Sequence, residues 1–138
     1  MGGDPYCFNE FDEKNQIDVY PRDNKASGAF CADQSAILPT YILLNYTNQW
    51  RDVRTLAHEV GHGINNELTR KGVRPIYFGT PTSTAEVAST FFEDLVLASA
   101  RAKAEPKERL ALLIDKLDDE VSSIFRQVAA YRFEQKLG

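Results

Sequence analysis

The stretch of sequence that decides the fold covers residues 52–63 and reads Asp52-Val53-Arg54-Thr55-Leu56-Ala57-His58-Glu59-Val60-Gly61-His62-Gly63. Apolar residues recur at intervals of three and four through this stretch and just beyond it, namely Val53, Leu56, Ala57, Val60, Ile64 and Leu68. That spacing places them on one side of an α-helix. The sequence therefore predicts an amphipathic helix over about residues 49–68.

The two histidines of the chain lie on the other side of this predicted helix. His58 and His62 are four residues apart, and Glu59 follows the first. Side chains at this spacing are one turn apart in height and about 40° apart in azimuth, so both imidazoles can bind one ion at about 2.0–2.1 Å. Glu59 points to a flank, where a carboxylate can act as general base for an attacking water. A zinc site is the favoured interpretation, and two surface histidines aligned by chance are the alternative.

A catalytic zinc site needs a third protein ligand, and the chain has no third histidine. Glu86 is a candidate, because it stands near the start of a second predicted helix after a loop rich in breakers that can turn the chain back. Alternatively, Ser83 and Glu86 form a capping box that satisfies the helix start. Glu93, two turns further along, is expected either to accept the N–H of a ligand imidazole or to be solvated.

The rest of the chain indicates an α+β fold that is mainly helical. Strand-like patterns precede the first helix at 17–20, 28–32 and 41–45, and helical spacing continues over about 84–103 and 106–136. The last helix carries a seam that is expected to pack on the core, with a coiled coil as the alternative: Leu110, Ile114, Leu117, Val121, Ile124, Val128 and Tyr131. We expect one domain over residues 1–138, with a small sheet of short strands followed by three helices.

Composition and charge argue against several classes of protein. Sixteen Lys and Arg against twenty Asp and Glu give a net charge of −4, which disfavours non-specific binding to nucleic acid. The longest aliphatic run, residues 42–44, is far shorter than the roughly 20 residues that cross a bilayer. The first residues lack a signal-peptide pattern, and Cys7 and Cys31 are not spaced for a disulfide framework or a thiolate zinc site. We therefore expect a cytoplasmic protein with reduced cysteines that binds neither nucleic acid nor membrane.

Four segments carry a resemblance to a known family. They are the stretch at 52–63, the pair DVYPR and KASGAFC within 18–31, PTYILLNY at 39–46, and AEVASTFFE at 85–93. In order and spacing these segments resemble the thimet oligopeptidase and oligoendopeptidase F family of zinc metallopeptidases. The HExxH pattern alone would indicate only a zincin, whereas the four segments together are specific to this family.

The resemblance implies a zincin-like catalytic core that hydrolyses peptides and binds one Zn²⁺ per chain. It implies that His58, His62 and Glu86 are the zinc ligands and that Glu59 is the general base and proton shuttle. It also implies that a short segment aligns the backbone of a peptide substrate as an added strand, the segment being Gly28-Ala29-Phe30.

Members of the family are several hundred residues long. The chain is therefore expected to be the catalytic core of a larger enzyme, without the long N-terminal part and a later segment rich in His and Tyr. The function this implies is that of a zinc metalloendopeptidase, with peptides as substrates and either a second copy or the remainder of a larger enzyme as partner. The alternative is a zinc-binding but catalytically weak fragment that associates through exposed apolar surface on the 106–136 helix.

Overall fold

The structure, a computed structural model, describes residue 11, residues 13–32 and residues 35–137. Cys7 lies outside the described residues. The elements within these ranges are the strands β1 (Ile17–Asp18), β2 (Phe30–Ala32) and β3 (Tyr41–Leu43), the helices α1 (Trp50–Gly72), α2 (Thr82–Lys103) and α3 (Pro106–Leu137), and a 3-10 turn at Pro75–Tyr77. The expected α+β class, mainly helical with a small sheet before the helices, is confirmed.

The three strands form one sheet in the order β1-β3-β2, so β3 is central. It pairs in parallel with β1 and antiparallel with β2. Successive strand residues point to opposite faces. Ile42 and Leu44 are accordingly buried on one face, where they form the core with Val60 of α1. The apolar side of α1 therefore rests on the central strand.

The strands are shorter than the sequence patterns suggested, and the end of β1 has a visible cause. The carboxylate of Asp18 accepts hydrogen bonds from Arg22 Nη1 at 2.6 Å and Lys25 Nζ at 3.0 Å. Lys25 Nζ also donates to the carbonyl oxygens of Asp18 and Tyr20. These contacts curl the chain after Asp18, where the alternating pattern alone had predicted a continuing strand.

Helix α1 begins where Asp52 can satisfy its first turn. The Oδ2 atom of Asp52 accepts hydrogen bonds from the backbone N–H of Gln49 and from both the N–H and the hydroxyl of Thr47. The two backbone hydrogen bonds are the main reason that the pKa of Asp52 is lowered. At the other end the helix continues to Gly72, beyond the predicted end at 68, since Arg70 and Lys71 suit the negative end of the helix dipole.

The backbones of α1 and α2 approach each other closely at Gly61. A Cβ built on Gly61 would lie 2.7 Å from the Cα of Ser89 and 2.9 Å from the carbonyl oxygen of Ala88. Ser89 is fully buried at this contact. A glycine is therefore needed at position 61 for α2 to lie where it does.

Helices α2 and α3 expose much of their apolar surface. Contacts divide the described residues into two compact units, one up to Val96 and one from Leu97. In the first unit, Val87, Phe91 and Leu95 of α2 are all exposed. In the second, none of the α3 residues is buried, and the seven seam residues are 45–63% exposed. The expected packing of the α3 seam on a core is therefore not found in the described residues.

Within the described part of the chain, none of the helices has the length and apolar character required to span a bilayer.

The contact at Gly61 can be tested by adding one methyl group. We expect Gly61→Ala to lower the free energy of unfolding by about 1–3 kcal/mol, because the new Cβ meets backbone that cannot rotate away. Gly72→Ala is the matched control, since nothing lies within 4 Å of the Cβ that it adds to the same helix. Its stability should equal that of the unchanged chain or exceed it by up to about 1 kcal/mol. Chemical denaturation measures both, and equal stabilities of the two variants would contradict the close approach.

Candidate metal centre

The two histidines of α1 face the first turns of α2. The rings of His58 and His62 are 4.9 Å apart between centroids and nearly perpendicular, at 82°. Glu86 of α2 reaches both, with its Oε2 atom 3.4 Å from His58 Nε2 and 3.7 Å from His62 Nε2. The structure thus brings together the three residues that the sequence predicted as zinc ligands.

The geometry and chemistry of these donor atoms fit a zinc ion. One donor atom from each residue can be chosen so that all lie within 4.8 Å of one another. Two ligand atoms of a tetrahedral zinc, at bonds of about 2.0–2.2 Å, are roughly 3.3–3.5 Å apart. The observed separations from Glu86 are close to this value. Two histidines and one carboxylate are also a known donor set of catalytic zinc sites, which keep the fourth position open.

Glu86 is held towards the histidines by its own helix. The hydroxyl of Ser89 lies 2.8 Å from Glu86 Oε2 and 3.1 Å from the Glu86 carbonyl oxygen. Helix α2 begins at Thr82, so Ser83 lies inside the helix and not at the N-cap position of a capping box. The arrangement favours the ligand interpretation of Glu86 over the capping alternative.

Glu59 lies beside the histidine pair but is buried, with only 8% of its surface exposed. The backbone N–H of Cys31, in β2, donates a hydrogen bond to its carboxylate. Burial raises the pKa of Glu59, and His58 opposes this rise by its charge. A carboxylate beside a metal site can act as a general base, and a raised pKa makes it a stronger proton acceptor.

Glu93 is neither solvated nor free to turn. Its Oε1 atom accepts hydrogen bonds from Nε and Nη2 of Arg54, at 2.9 and 2.5 Å, and its Oε2 atom lies 3.4 Å from His58 Nδ1. The hydrogen bond to Glu93 is the main reason that the pKa of His58 is raised. Arg54 was missed by the sequence reasoning, although its position four residues before His58 places it on the same side of the helix.

The predicted substrate segment lies at the edge of the sheet, near Glu59. Gly28 and Ala29 line an open pocket together with Leu44, Asn45, Tyr46, Arg51, Asp52 and Thr55. The amide of Asn45 donates to the carbonyl oxygens of Ala26 and Gly28, which fixes the turn at the positive φ of Gly28. Phe30 begins β2, which among the described strands pairs only with β3. Within the described residues, one edge of β2 is therefore unpaired and can accept another strand, next to the N–H that contacts Glu59.

Comparison with known proteins agrees with this geometry. Residues 7–137 match the family described as Peptidase family M3. The chain belongs to peptidase family M3.

Curated M3 relatives share about a third of their residues with the chain. The chromosomal oligoendopeptidase F of Lactococcus lactis subsp. cremoris is 37% identical over 92% of this chain and 21% of its own length. The oligopeptidase PepF of Bacillus subtilis strain 168 is 34% identical over 88% of this chain and 18% of its own length. The chain therefore spans about a fifth of the length of the curated relatives it matches.

A solved structure extends the similarity to the fold. A crystal structure from Chlamydophila abortus, described as that of a peptidase, superposes with a TM-score of 0.78 at 32% identity. The superposition covers 91% of this chain and 22% of that one. The fold of the chain is therefore similar to one part of that larger structure.

The role of Glu86 can be separated from that of a helix cap by two substitutions. We expect Glu86→Gln to weaken zinc binding sharply, since the amide lacks the negative charge of the carboxylate ligand. Ser83→Ala, on the same turn of α2, should leave the zinc dissociation constant unchanged. Competition with a chelating dye measures both constants. Equal and unchanged constants for the two variants would remove Glu86 from the site.

The contact between Glu93 and His58 predicts a change in titration. In the metal-free chain, Glu93→Gln should lower the pKa of His58, because a neutral amide no longer stabilises the imidazolium. NMR titration can follow this, since the chain has two histidines and His62→Gln assigns their signals. Glu120→Gln, in α3, is the control and should leave the pKa of His58 in place. A His58 pKa that is equal in all three proteins would rule out the contact.

Proposed function

We propose that the chain is the catalytic region of a zinc-dependent oligopeptidase of family M3, and that it hydrolyses peptide bonds with one Zn²⁺ per chain. The single observation that carries the proposal is the meeting of two histidines and Glu86 at separations suited to one zinc ion, with Glu59 beside them. Membership of the family supports it independently. The cytoplasmic location expected from the sequence stays a prediction.

Each residue of the site has a proposed task. His58 and His62 would hold zinc through Nε2, and Glu86 would hold it through a carboxylate oxygen. The ion, when bound, supplies a Lewis acid that polarises the scissile carbonyl. An ion held by these residues would lie between α1 and α2 and would be reached from solvent, because the side chains of Glu86 and His58 are partly exposed.

Glu59 acts as general base and proton shuttle. Its carboxylate takes a proton from the attacking water and passes it to the leaving amine. The raised pKa that burial produces suits this double role, because a proton held by an ordinary surface glutamate is released too readily at neutral pH. The Cys31 N–H keeps the carboxylate from rotating away during the transfer.

A peptide substrate adds as a strand along the edge of β2. The segment Gly28-Ala29-Phe30 offers backbone groups to the peptide, and the turn before it is fixed by Asn45. Strand addition supplies affinity from main-chain hydrogen bonds, which suits an enzyme that accepts many side chains. It also brings the peptide backbone next to Glu59, the base that must reach the attacking water.

A second candidate function is that of a zinc-binding chain with weak catalysis that associates with itself or with another chain. The observation that favours it is the exposure of the apolar seam of α3, which soluble proteins seldom leave uncovered. Turnover of a quenched peptide separates the two candidates, because a binding module would hold zinc and leave the peptide intact.

The metal and the base can be tested in the same set of proteins. We expect one zinc per unchanged chain, and none in stoichiometric amount in His58→Ala or His62→Ala, because two protein ligands retain zinc poorly. Glu59→Gln should keep the metal and slow hydrolysis at least about 100-fold, since it removes a base and not a ligand. Elemental analysis and a quenched-peptide assay measure the two effects.

Glu120→Gln is the matched control for the base, because it makes the same chemical change on an exposed part of α3. It should leave both zinc content and turnover unchanged. Loss of zinc from Glu59→Gln to the extent seen in His58→Ala would make Glu59 a ligand, which contradicts its assigned role.

A further inference from the structure

The contact between Arg54 and Glu93 has no part in the ligand set or in the base. We propose that Arg54 is a positioning residue for the zinc ligand His58, and that it acts through Glu93. This inference rests on the proposed function, because it assumes that His58 binds zinc. It assigns a task to a buried cation that the proposed function does not use.

The geometry shows how Arg54 can control the orientation of Glu93. The guanidinium donates two hydrogen bonds, from Nε and Nη2, to the same oxygen, Glu93 Oε1. A planar fork that holds one oxygen leaves the carboxylate little freedom to rotate. The second oxygen, Oε2, is thereby directed at His58 Nδ1, 3.4 Å away.

The direction of this contact matters for the metal. A histidine whose Nδ1–H faces a carboxylate presents the lone pair of Nε2, and its ring orientation is fixed. Nε2 of His58 is the atom that lies near Glu86. Arg54 thus fixes the ligand atom of His58 through a chain of contacts that leaves α1, passes through Glu93 of α2 and returns to α1.

The side chains of Arg54 and Glu93 are both largely buried, so their ion pair should constrain the orientation of the Glu93 carboxylate more strongly than a surface ion pair would. The side chain of Arg54 is 7% exposed and that of Glu93 is 13% exposed. Exposed pairs contribute little, whereas breaking a buried pair is strongly destabilising. Removing Arg54 would take away both hydrogen bonds to Oε1 and would loosen the orientation of the carboxylate beside His58.

The charge of Arg54 by itself would change zinc affinity in the direction opposite to that expected from positioning. Arg54 is a cation near a site for a cation, so its removal would tighten zinc binding if only long-range repulsion mattered. Positioning predicts weaker binding instead. The sign of the change in zinc affinity therefore decides between the two effects.

The test measures the zinc dissociation constant of the full 138-residue chain by competition with a chelating dye. Arg54→Met, which keeps an apolar stem but removes the guanidinium, should weaken zinc binding about 10–100-fold, the range found when outer partners of ligand histidines are lost. Arg54→Lys should restore part of the loss, because one ammonium can hold Oε1 but cannot fork. Arg70→Met is the control: Arg70 lies on the same helix, is partly buried and contacts Thr40 and Glu67, away from the histidines.

A double variant separates a positioning role of Arg54 from a general structural role. In Glu93→Gln, which weakens zinc binding itself, adding Arg54→Met should cause no further loss, because Arg54 acts through the carboxylate. If Arg54 only packs the helices together, the two losses would multiply, and the proposal would be overturned. The visible spectrum of the Co²⁺-loaded proteins is an independent readout, since Arg54→Met and Glu93→Gln should change it in the same way.

The remaining outcomes also decide the matter. Unchanged or tighter zinc binding in Arg54→Met overturns the inference while the zinc site of the proposed function stands. A wild-type chain that binds no zinc overturns both. Circular dichroism checks whether Arg54→Met folds. If it does not fold, Arg54→Lys replaces it, and its zinc affinity is measured both alone and combined with Glu93→Gln. Positioning is contradicted if Arg54→Lys weakens zinc binding by the same factor with and without Glu93→Gln.

Discussion

The close contact between the backbones of α1 and α2 at Gly61 is the constraint on which the rest of the site depends. Any larger residue would place its Cβ within 3 Å of the backbone at Ala88 and Ser89. Because the helices meet this closely, the short side chain of Glu86 reaches both imidazoles. Two turns further along, the same approach brings Glu93 to His58. A wider spacing would leave the histidine pair without this carboxylate.

The two carboxylates that α2 supplies contact opposite nitrogens of His58 in different surroundings. The side chain of Glu86, near Nε2, is 46% exposed and remains open to an incoming ligand. Glu93, near Nδ1, is enclosed and held by Arg54. The same residue type thus suits metal binding at one position and orientation of a ligand at the other. The difference arises from burial and partner, which distinguishes outer partners from ligands in metal sites generally.

The polar side chains of the site also explain which side of α2 faces α1. Amphipathic spacing places Val87, Phe91 and Leu95 on one side of α2, yet those residues are exposed. The opposite side, with the buried Ser89 and the two carboxylates, packs against α1. Hydrophobic burial therefore organises α1 against the sheet, whereas steric fit and ion pairing organise α1 against α2.

The sequence by itself determined the features that depend on local spacing. A helix over about residues 49–68, the pairing of His58 with His62 on one turn and the mainly helical class all follow from periodicity, since neighbours in a helix are fixed by the chain. The spacing of the sequence left two alternatives open for each carboxylate of α2. Glu86 could be a metal ligand or a helix cap, and Glu93 could be a partner of a ligand imidazole or be solvated. Only the tertiary structure brings Glu86 near both imidazoles and places Glu93 against His58. It alone also shows the contact of Arg54 with Glu93 and the exposed side of α2. Such contacts join residues distant along the chain, and their distances depend on how closely two helices pack.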